Sequence, residues 1–368
     1  MSTLRVTAEA LTVHEHPNAD ALELAQVGLY RAVVAKGAYR TGEWALYIPE
    51  QSVLPAPLIE ELGLTGRLAG SSADRVRAVR LRGELSQGIV CRPEALAGVD
   101  LARAAEEGTD FAELLGIVKW VPPIPPTMNG DVEAAPDLLP WVDIENIQRH
   151  PDIFTPGEPV VVTEKLHGSA CLLTYLADED RVHVSSKGFG AKSLALKEDP
   201  RNLYWRAVRG HGVAEAAARI AGRLDARRVG IFGEVYGAGV QDLTYGADGR
   251  RDTIGYAVFD VSAEIDGVVR WLDAEELLSG ELPLVPRLYE GPYDVERVLG
   301  IASGRETMSG RALHLREGVV IRPGAPAPDG PEGTFVAAER YSPVTGGRAI
   351  AKAVSPAYLT RKGGTEYE

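Results

Sequence analysis

The sequence predicts an α+β protein in which a small N-terminal β-barrel precedes a larger, strand-rich domain. Three observations carry that expectation. At 368 residues the chain exceeds what one ordinary core supports, so two domains are expected. The first hundred residues read as short strands punctuated by glycine and the Pro17-Asn18 pair. Beyond a proline-rich break, longer strand runs alternate with a few helical stretches.

In order, RVTAEALTVHEHPNADALELAQVGLY alternates around Leu4, Val6, Leu11 and Val13, turns, and continues through Leu22, Leu24 and Val27. RAVVAKGAY, WALYIPEQSVL, RVRAVRLRG and QGIVCRP supply further strands, and five at this spacing suggest a small barrel. PLIEELGLTGRLAG, with Leu58, Ile59, Leu62 and Leu64, reads as a helix between them, and FAELLGIV as a short helical piece after Asp110. KWVPPIPPTMNGDVEAAPDLLP holds six prolines in twenty-two residues, which reads as a stiff linker or irregular crossover. The expected organisation is therefore a barrel over 1–120, a linker over 121–145 and a second domain over 146–368. That domain's strands are VVVTEKL, ACLLTYL, RVHVSSKG, VGIFGEVYG, TIGYAVFDV, EGVVIRP and RAIAKAVS, with helices in NLYWRAVRGHGVAEAAARIAGRL and DAEELLSG.

Composition narrows the function. A 45% hydrophobic, 25% charged chain is that of a folding globular protein and excludes a disordered one. No apolar run approaches ~18 residues, so a membrane span and membrane partners are not expected. Cys91 and Cys171 form no CxxC pair, which excludes a disulfide scaffold or cysteine-based zinc site and points to a cytoplasmic location. A net charge of -13 argues against indiscriminate nucleic-acid coating but leaves room for a local basic groove.

The chemistry centres on a lysine. With eight lysines and 40 glycines, about one KxxG is expected by chance, and two occur, Lys165 to Gly168 and Lys187 to Gly190. Context selects the first. EPVVVTEKLHGSACLLTYL reads as strand, tight turn, strand, with Lys165 at the strand end and Gly168 letting the backbone bend closely around its target. A nucleophilic amine there needs a pKa lowered from about 10.4 toward neutrality, by burial or a neighbouring cation. The plain alternative is a solvated hairpin lysine paired with Glu164. Further segments add Glu234 in FGEVYG, Phe259 in YAVFDV, Glu317 in EGVVIRP and Lys352 in RAIAKAVS. Taken singly, Phe259 suits a core and the two glutamates a surface.

The ordered series EKLHG, SSKG, FGEVYG, YAVFDV, EGVVIR and a final lysine strand, over residues 146 to 356, resembles the covalent nucleotidyltransferase superfamily of ATP-dependent ligases and capping enzymes. EKLHGS looks like the RNA-ligase form of its first motif. A barrel placed before this domain, with its HPNADALEL stretch, resembles the nick-sealing RNA ligases of the Deinococcus type. HPNADALELAQVG also looks like the start of tRNA-binding oligonucleotide-binding folds. The resemblance implies an oligonucleotide-binding (OB)-like barrel followed by a mostly antiparallel nucleotidyltransferase domain.

It further implies a three-step mechanism: Lys165 takes AMP from ATP, AMP passes to an RNA 5′-phosphate, and a 3′-hydroxyl displaces it, sealing a nick in a duplex. ATP and Mg2+ or Mn2+ are the implied cofactors and RNA the implied partner. Lys165, Glu317 and Lys352 are the implied catalytic residues, with Glu317 as metal ligand. Glu164, His167, Gly168, Lys187, Glu234 and Phe259 are implied around the nucleotide, Glu234 at the ribose, Phe259 on the adenine, and His167 with a second role after lysine adenylylation. Many relatives end in KxK, whereas position 350 here is isoleucine; Arg348 is the nearby cation that would share phosphate contacts.

RVRAVRLRG places Arg75, Arg77, Arg80 and Arg82 on one expected strand, where alternation breaks between 77 and 80. At least two of them are therefore expected as RNA-backbone contacts, or the four as a charged edge that discourages aggregation. Three other functions remain open: a DNA ligase, a GTP-dependent capping enzyme, and a non-catalytic RNA-binding protein.

Overall fold

The computed structural model describes residues 4–247, 254–324 and 339–364. The chain folds as two compact units. One is built from the residues up to Val121 with Glu145–Pro151 and Leu359–Arg361, the other from Pro122–Ile144 and Asp152–Tyr358. Among the described residues no helix is long and apolar enough to cross a membrane.

The first unit contains two three-stranded antiparallel sheets. Trp44–Ile48 lies between Thr7–Ala10 and Ile89–Cys91, and Leu22–Val27 lies between Thr12–Glu15 and Tyr30–Ala35. WALYI is apolar throughout because it is buried on both faces. Leu46 and Ile48 join Val6, Leu54, Leu58 and Ile59 in one cluster, while Ala45 and Tyr47 join Leu11, Val27 and Tyr30 in another. A Cβ on Gly88, at φ +73°, would lie 2.6 Å from the Tyr47 hydroxyl, so this strand entry requires glycine.

Three expectations for this unit are corrected. The predicted helix over PLIEELGLTGRLAG is confined to Ala56–Glu61. FAELLGIV forms a single turn, closed by Ile117 N–H to the Ala112 carbonyl at 2.8 Å and ended at Gly116 (φ +64°). The helix of this region is Leu101–Glu106, capped by Asp100, whose carboxylate accepts from the Arg103 N–H. RVRAVRLRG is not one strand. Arg75 makes an isolated bridge to Val53, while Val79–Leu81 forms a hairpin with Glu84–Ser86 whose two turn residues, Arg82 and Gly83, both have positive φ.

The second unit holds a seven-stranded antiparallel sheet in the order Val132–Ala134, Leu194–Leu196, Arg181–Ser186, Ser169–Leu176, Arg228–Tyr236, Gly255–Ile265, Val268–Leu272. Thr253, near the start of the expected strand TIGYAVFDV, lies outside the described residues. Val132–Ala134 comes from the expected linker, which packs instead of spanning. Met128, Ala135 and Leu139 around it are buried. Helices Leu203–His211 and Val213–Leu224, separated at Gly212 (φ +68°), cover one face of this sheet through Val208, Ala217 and Ile220. A second sheet runs Ala351–Val354, Gly318–Pro323, Pro159–Lys165, Arg287–Pro292. Its buried face carries Val160, Val162, Val319, Ile321, Ala351 and Ala353, and helix Val295–Ala302 packs on two of these strands.

Candidate active site

Strand alternation decides what each sheet offers. Val160, Val162 and Glu164 point into the buried side of the second sheet, so Val161, Thr163 and Lys165 point the other way. Cross-strand registers Lys165 to Gly318 and Thr163 to Val320 to Lys352 put Lys352 on the same face as Lys165. On the seven-stranded sheet Val229, Ile231 and Val235 face the helices, leaving Phe232 and Glu234 on the opposite face.

Lys165 Nζ donates to Glu317 Oε1 at 2.7 Å, so the alternative of a lysine paired with Glu164 does not hold. Burial pulls this amine toward its neutral form, but Glu317 and Glu234 outweigh it and hold the ammonium above its ordinary value. The charges acting on the amine are thus carboxylates, and the shift runs opposite to the lowering that a nucleophilic amine requires. Burial, reinforced by Glu317, pushes Glu234 up to about 8 despite the opposing charges of Lys165 and Lys187. Glu317 Oε2 is buried without a hydrogen-bond partner, an orphaned acceptor of the kind a hard cation satisfies. Among the described residues no group of three His, Cys, Asp or Glu side chains could hold a metal ion by itself. A cation at Glu317 would therefore need oxygens from water and a bound phosphate as well.

The turn after Lys165 is tightly specified. A Cβ on Gly168 would lie 2.2 Å from the Val235 carbonyl oxygen, and the Gly168 N–H donates to the Glu234 carboxylate. His167 is buried, its N–H donating to the Tyr245 hydroxyl at 2.6 Å and its ring held by Asp242 and Tyr358. Glu164 faces away from Lys165 and holds a loop, accepting from the Thr307 N–H at 2.8 Å. Burial raises its carboxyl above the ordinary range. Lys187 begins a short helix, pairs with Asp143, and its charge reaches Glu234.

Phe259 sits on a bulge. The register passes from Phe232 opposite Asp260 to Gly233 opposite Val258, so Phe259 has no partner residue. The core-facing series shifts accordingly, from Tyr256 and Val258 to Val261 and Ala263. Its ring, only partly buried, meets Trp141 edge-on at 6.3 Å.

Arg348 does not line up beside Lys352 for a phosphate. Its guanidinium is in ion contact with Asp260 and Glu339, both at 3.0 Å, and covers the Trp271 ring at 4.4 Å. Ile350, at the first lysine position of KxK, is buried, where an ammonium would be costly. Arg322 completes the cluster, donating to Thr163 Oγ1 at 3.0 Å and to Asp260. Burial raises the Asp260 carboxyl, but the two arginines more than offset this and hold it below its ordinary value. Such a carboxylate stabilises the fold above its unfolded pKa, near 4, and that contribution is lost as pH falls through the folded value. Asp260→Asn is expected to cost about 3 kcal/mol at pH 7, by leaving Arg322 without its carboxylate and Arg348 with Glu339 alone, with the gap closing in acid. Urea unfolding of both proteins at pH 7 and below 4 checks this.

In the first unit the HPNAD segment anchors the arginine hairpin. His16 Nε2 contacts the Leu81 carbonyl at 3.2 Å, and Asn18 donates to the Arg82 carbonyl at 3.1 Å. Arg80 and Arg82 are exposed and Arg77 partly so. Arg75 is buried, its guanidinium 3.8 Å from the Trp120 ring centroid, which makes it a packing residue.

A lysine presented at a strand end to two carboxylates, between two antiparallel sheets, has the architecture of the nucleotidyltransferase fold. The RNA ligase family model matches residues 158–354, more than half of the chain, and an OB-fold domain model matches residues 5–93. The chain belongs to the RNA ligase family. Its structure is similar to that of a Naegleria gruberi RNA ligase. A lysine-to-alanine variant of that ligase with ATP and Mn gives a TM-score of 0.73 at 24% identity, covering 96% of this chain and 98% of that one. A glutamate-to-alanine variant with AMP and Mn gives 0.74 at 24%, covering 97% and 98%, and the ligase with pyrophosphate gives 0.73 at 24% over the same shares. No curated protein matches the chain.

Proposed function

We propose that this RNA ligase uses ATP to seal 3′-hydroxyl/5′-phosphate nicks in RNA-containing duplexes through a lysyl-AMP intermediate. The observation that carries the reading is the Lys165 Nζ contact with Glu317 Oε1 beside the Gly168 turn. In the first step the Lys165 ammonium gives up a proton. The neutral Nζ then attacks the α-phosphorus, forming a P–N bond as the bond from that phosphorus to the bridging oxygen breaks and pyrophosphate leaves. The proton on Nζ has an acceptor 2.7 Å away at Glu317 Oε1. An oxygen of the RNA 5′-phosphate next displaces the lysine from phosphorus, and finally the 3′-hydroxyl displaces AMP.

Glu234 is suited to hold the ribose, Phe259 to offer its face to adenine, and Lys187 and Lys352 to neutralise phosphate charge. Mg2+ or Mn2+ at the orphaned Glu317 oxygen would supply Lewis-acid neutralisation of the phosphates. The Naegleria gruberi ligase structures with ATP, AMP, Mn and pyrophosphate support the choice of nucleotide and metal. Incubation with α-labelled ATP and metal tests the reading: label should become covalently attached at Lys165, and label entering from GTP alone would refute it.

The nick is assigned to the OB-fold unit through Arg77, Arg80 and Arg82, with Arg75 withdrawn from that set. Arg80→Ala with Arg82→Ala should weaken binding of nicked RNA duplex and reduce the salt slope by about 2, while label transfer to Lys165 stays at the wild-type level. Binding titrations at several salt concentrations measure both.

A further inference from the structure

His167 lies two residues beyond Lys165 and is buried, and both of its ring nitrogens are engaged. Nε2 is 2.8 Å from Asp242 Oδ1, and Nδ1 is 2.8 Å from the Tyr358 hydroxyl, whose ring meets the imidazole edge-on at 5.2 Å. The partners settle the tautomer. A carboxylate only accepts, so Nε2 carries a hydrogen, and in the neutral ring Nδ1 then accepts from the Tyr358 hydroxyl. The backbone on either side is held as well: His167 N–H donates to the Tyr245 hydroxyl and Gln241 Nε2 to the Gly168 carbonyl at 3.2 Å. The turn that carries the nucleophile is thereby tied to segment 241–245 and to the short helix Pro356–Leu359, which follows the strand bearing Lys352.

We propose that Tyr358 and Asp242 are positioning residues for the first chemical step, acting through His167 to fix the Lys165 turn relative to the Lys352 strand. This rests on the adenylylation reading above. A group that orients the nucleophile without touching nucleotide should alter the rate of phosphorus attack and leave ATP binding intact.

Single-turnover transfer of label from α-labelled ATP, followed against ATP concentration in the full chain, tests this together with ring 15N NMR of histidine-labelled protein. Tyr358→Phe keeps the ring and removes the hydroxyl. It is expected to lower the maximal rate about tenfold, with half-saturating ATP within about twofold of wild type, and to move the His167 Nδ1 resonance. Asp242→Asn, which retains an acceptor for Nε2–H, should stay close to wild type, whereas Asp242→Ala should match Tyr358→Phe. A wild-type rate in Tyr358→Phe, a loss expressed only in half-saturating ATP, or an unmoved Nδ1 resonance would overturn the proposal and leave the ligase reading standing. Failure of the ligase reading looks different, because the wild-type protein itself would then take up no AMP, and this inference would fall with it.

Discussion

Lys165→Ala is expected to eliminate covalent AMP from the protein and to reduce sealing of a 5′-phosphate nick by at least about 10⁴-fold, the scale on which loss of a covalent nucleophile acts. The change should leave the fold intact, because Lys165 retains partial exposure and its main contact is one carboxylate. Intact-protein mass spectrometry after incubation with ATP and metal reads the adduct directly. Lys187→Ala provides the contrast. That lysine begins a helix beside Asp143, so its loss should slow adduct formation and still leave a measurable signal. An adduct persisting in Lys165→Ala would transfer the nucleophile to Lys187.

Gly168→Ala should be nearly as damaging for a different reason. The added methyl would sit 2.2 Å from the Val235 carbonyl oxygen and 2.9 Å from Glu234 Cγ. The first obstacle is backbone within a central strand, so relief requires the two strands to part. An overpacking cost of about 1–3 kcal/mol is expected, visible as a lowered midpoint in denaturant. Because the same movement displaces Glu234 and the Lys165 turn together, adduct formation should fall by about 100-fold or more. A variant with wild-type adduct kinetics would show that this close approach is not needed for the chemistry.

These expectations draw on features of unequal visibility in the sequence. The ordered motifs mark the strands that carry Lys165, Glu234 and Lys352 and the strand that Glu317 immediately precedes, because a period of two and a glycine turn are local signals. The bulge at Phe259 leaves no such mark, since one extra residue in an apolar strand changes neither composition nor pattern. The residues that hold the His167 turn are invisible for a related reason. Asp242, Tyr245 and Tyr358 lie 75, 78 and 191 positions away, and single polar residues at such separations have no spacing to detect. Glu164 and Arg348 show the converse. Both stand beside motif lysines in sequence, yet alternation sends Glu164 to the opposite face and an aspartate captures Arg348. The sign of the Lys165 shift was likewise hidden, because it depends on Glu317 and Glu234, which only the assembled sheets bring near.

The proline-rich stretch has a practical corollary for anyone dissecting the molecule. Because Val132–Ala134 zips onto Leu194–Leu196, it serves as a protective border for the larger sheet, screening amide and carbonyl groups that would otherwise invite a neighbouring polypeptide. A fragment begun at residue 146 would strip off that border and uncover the apolar surface beneath Met128 and Leu139. Truncations meant to isolate the larger unit are therefore better started just after Val121, with the prolines kept.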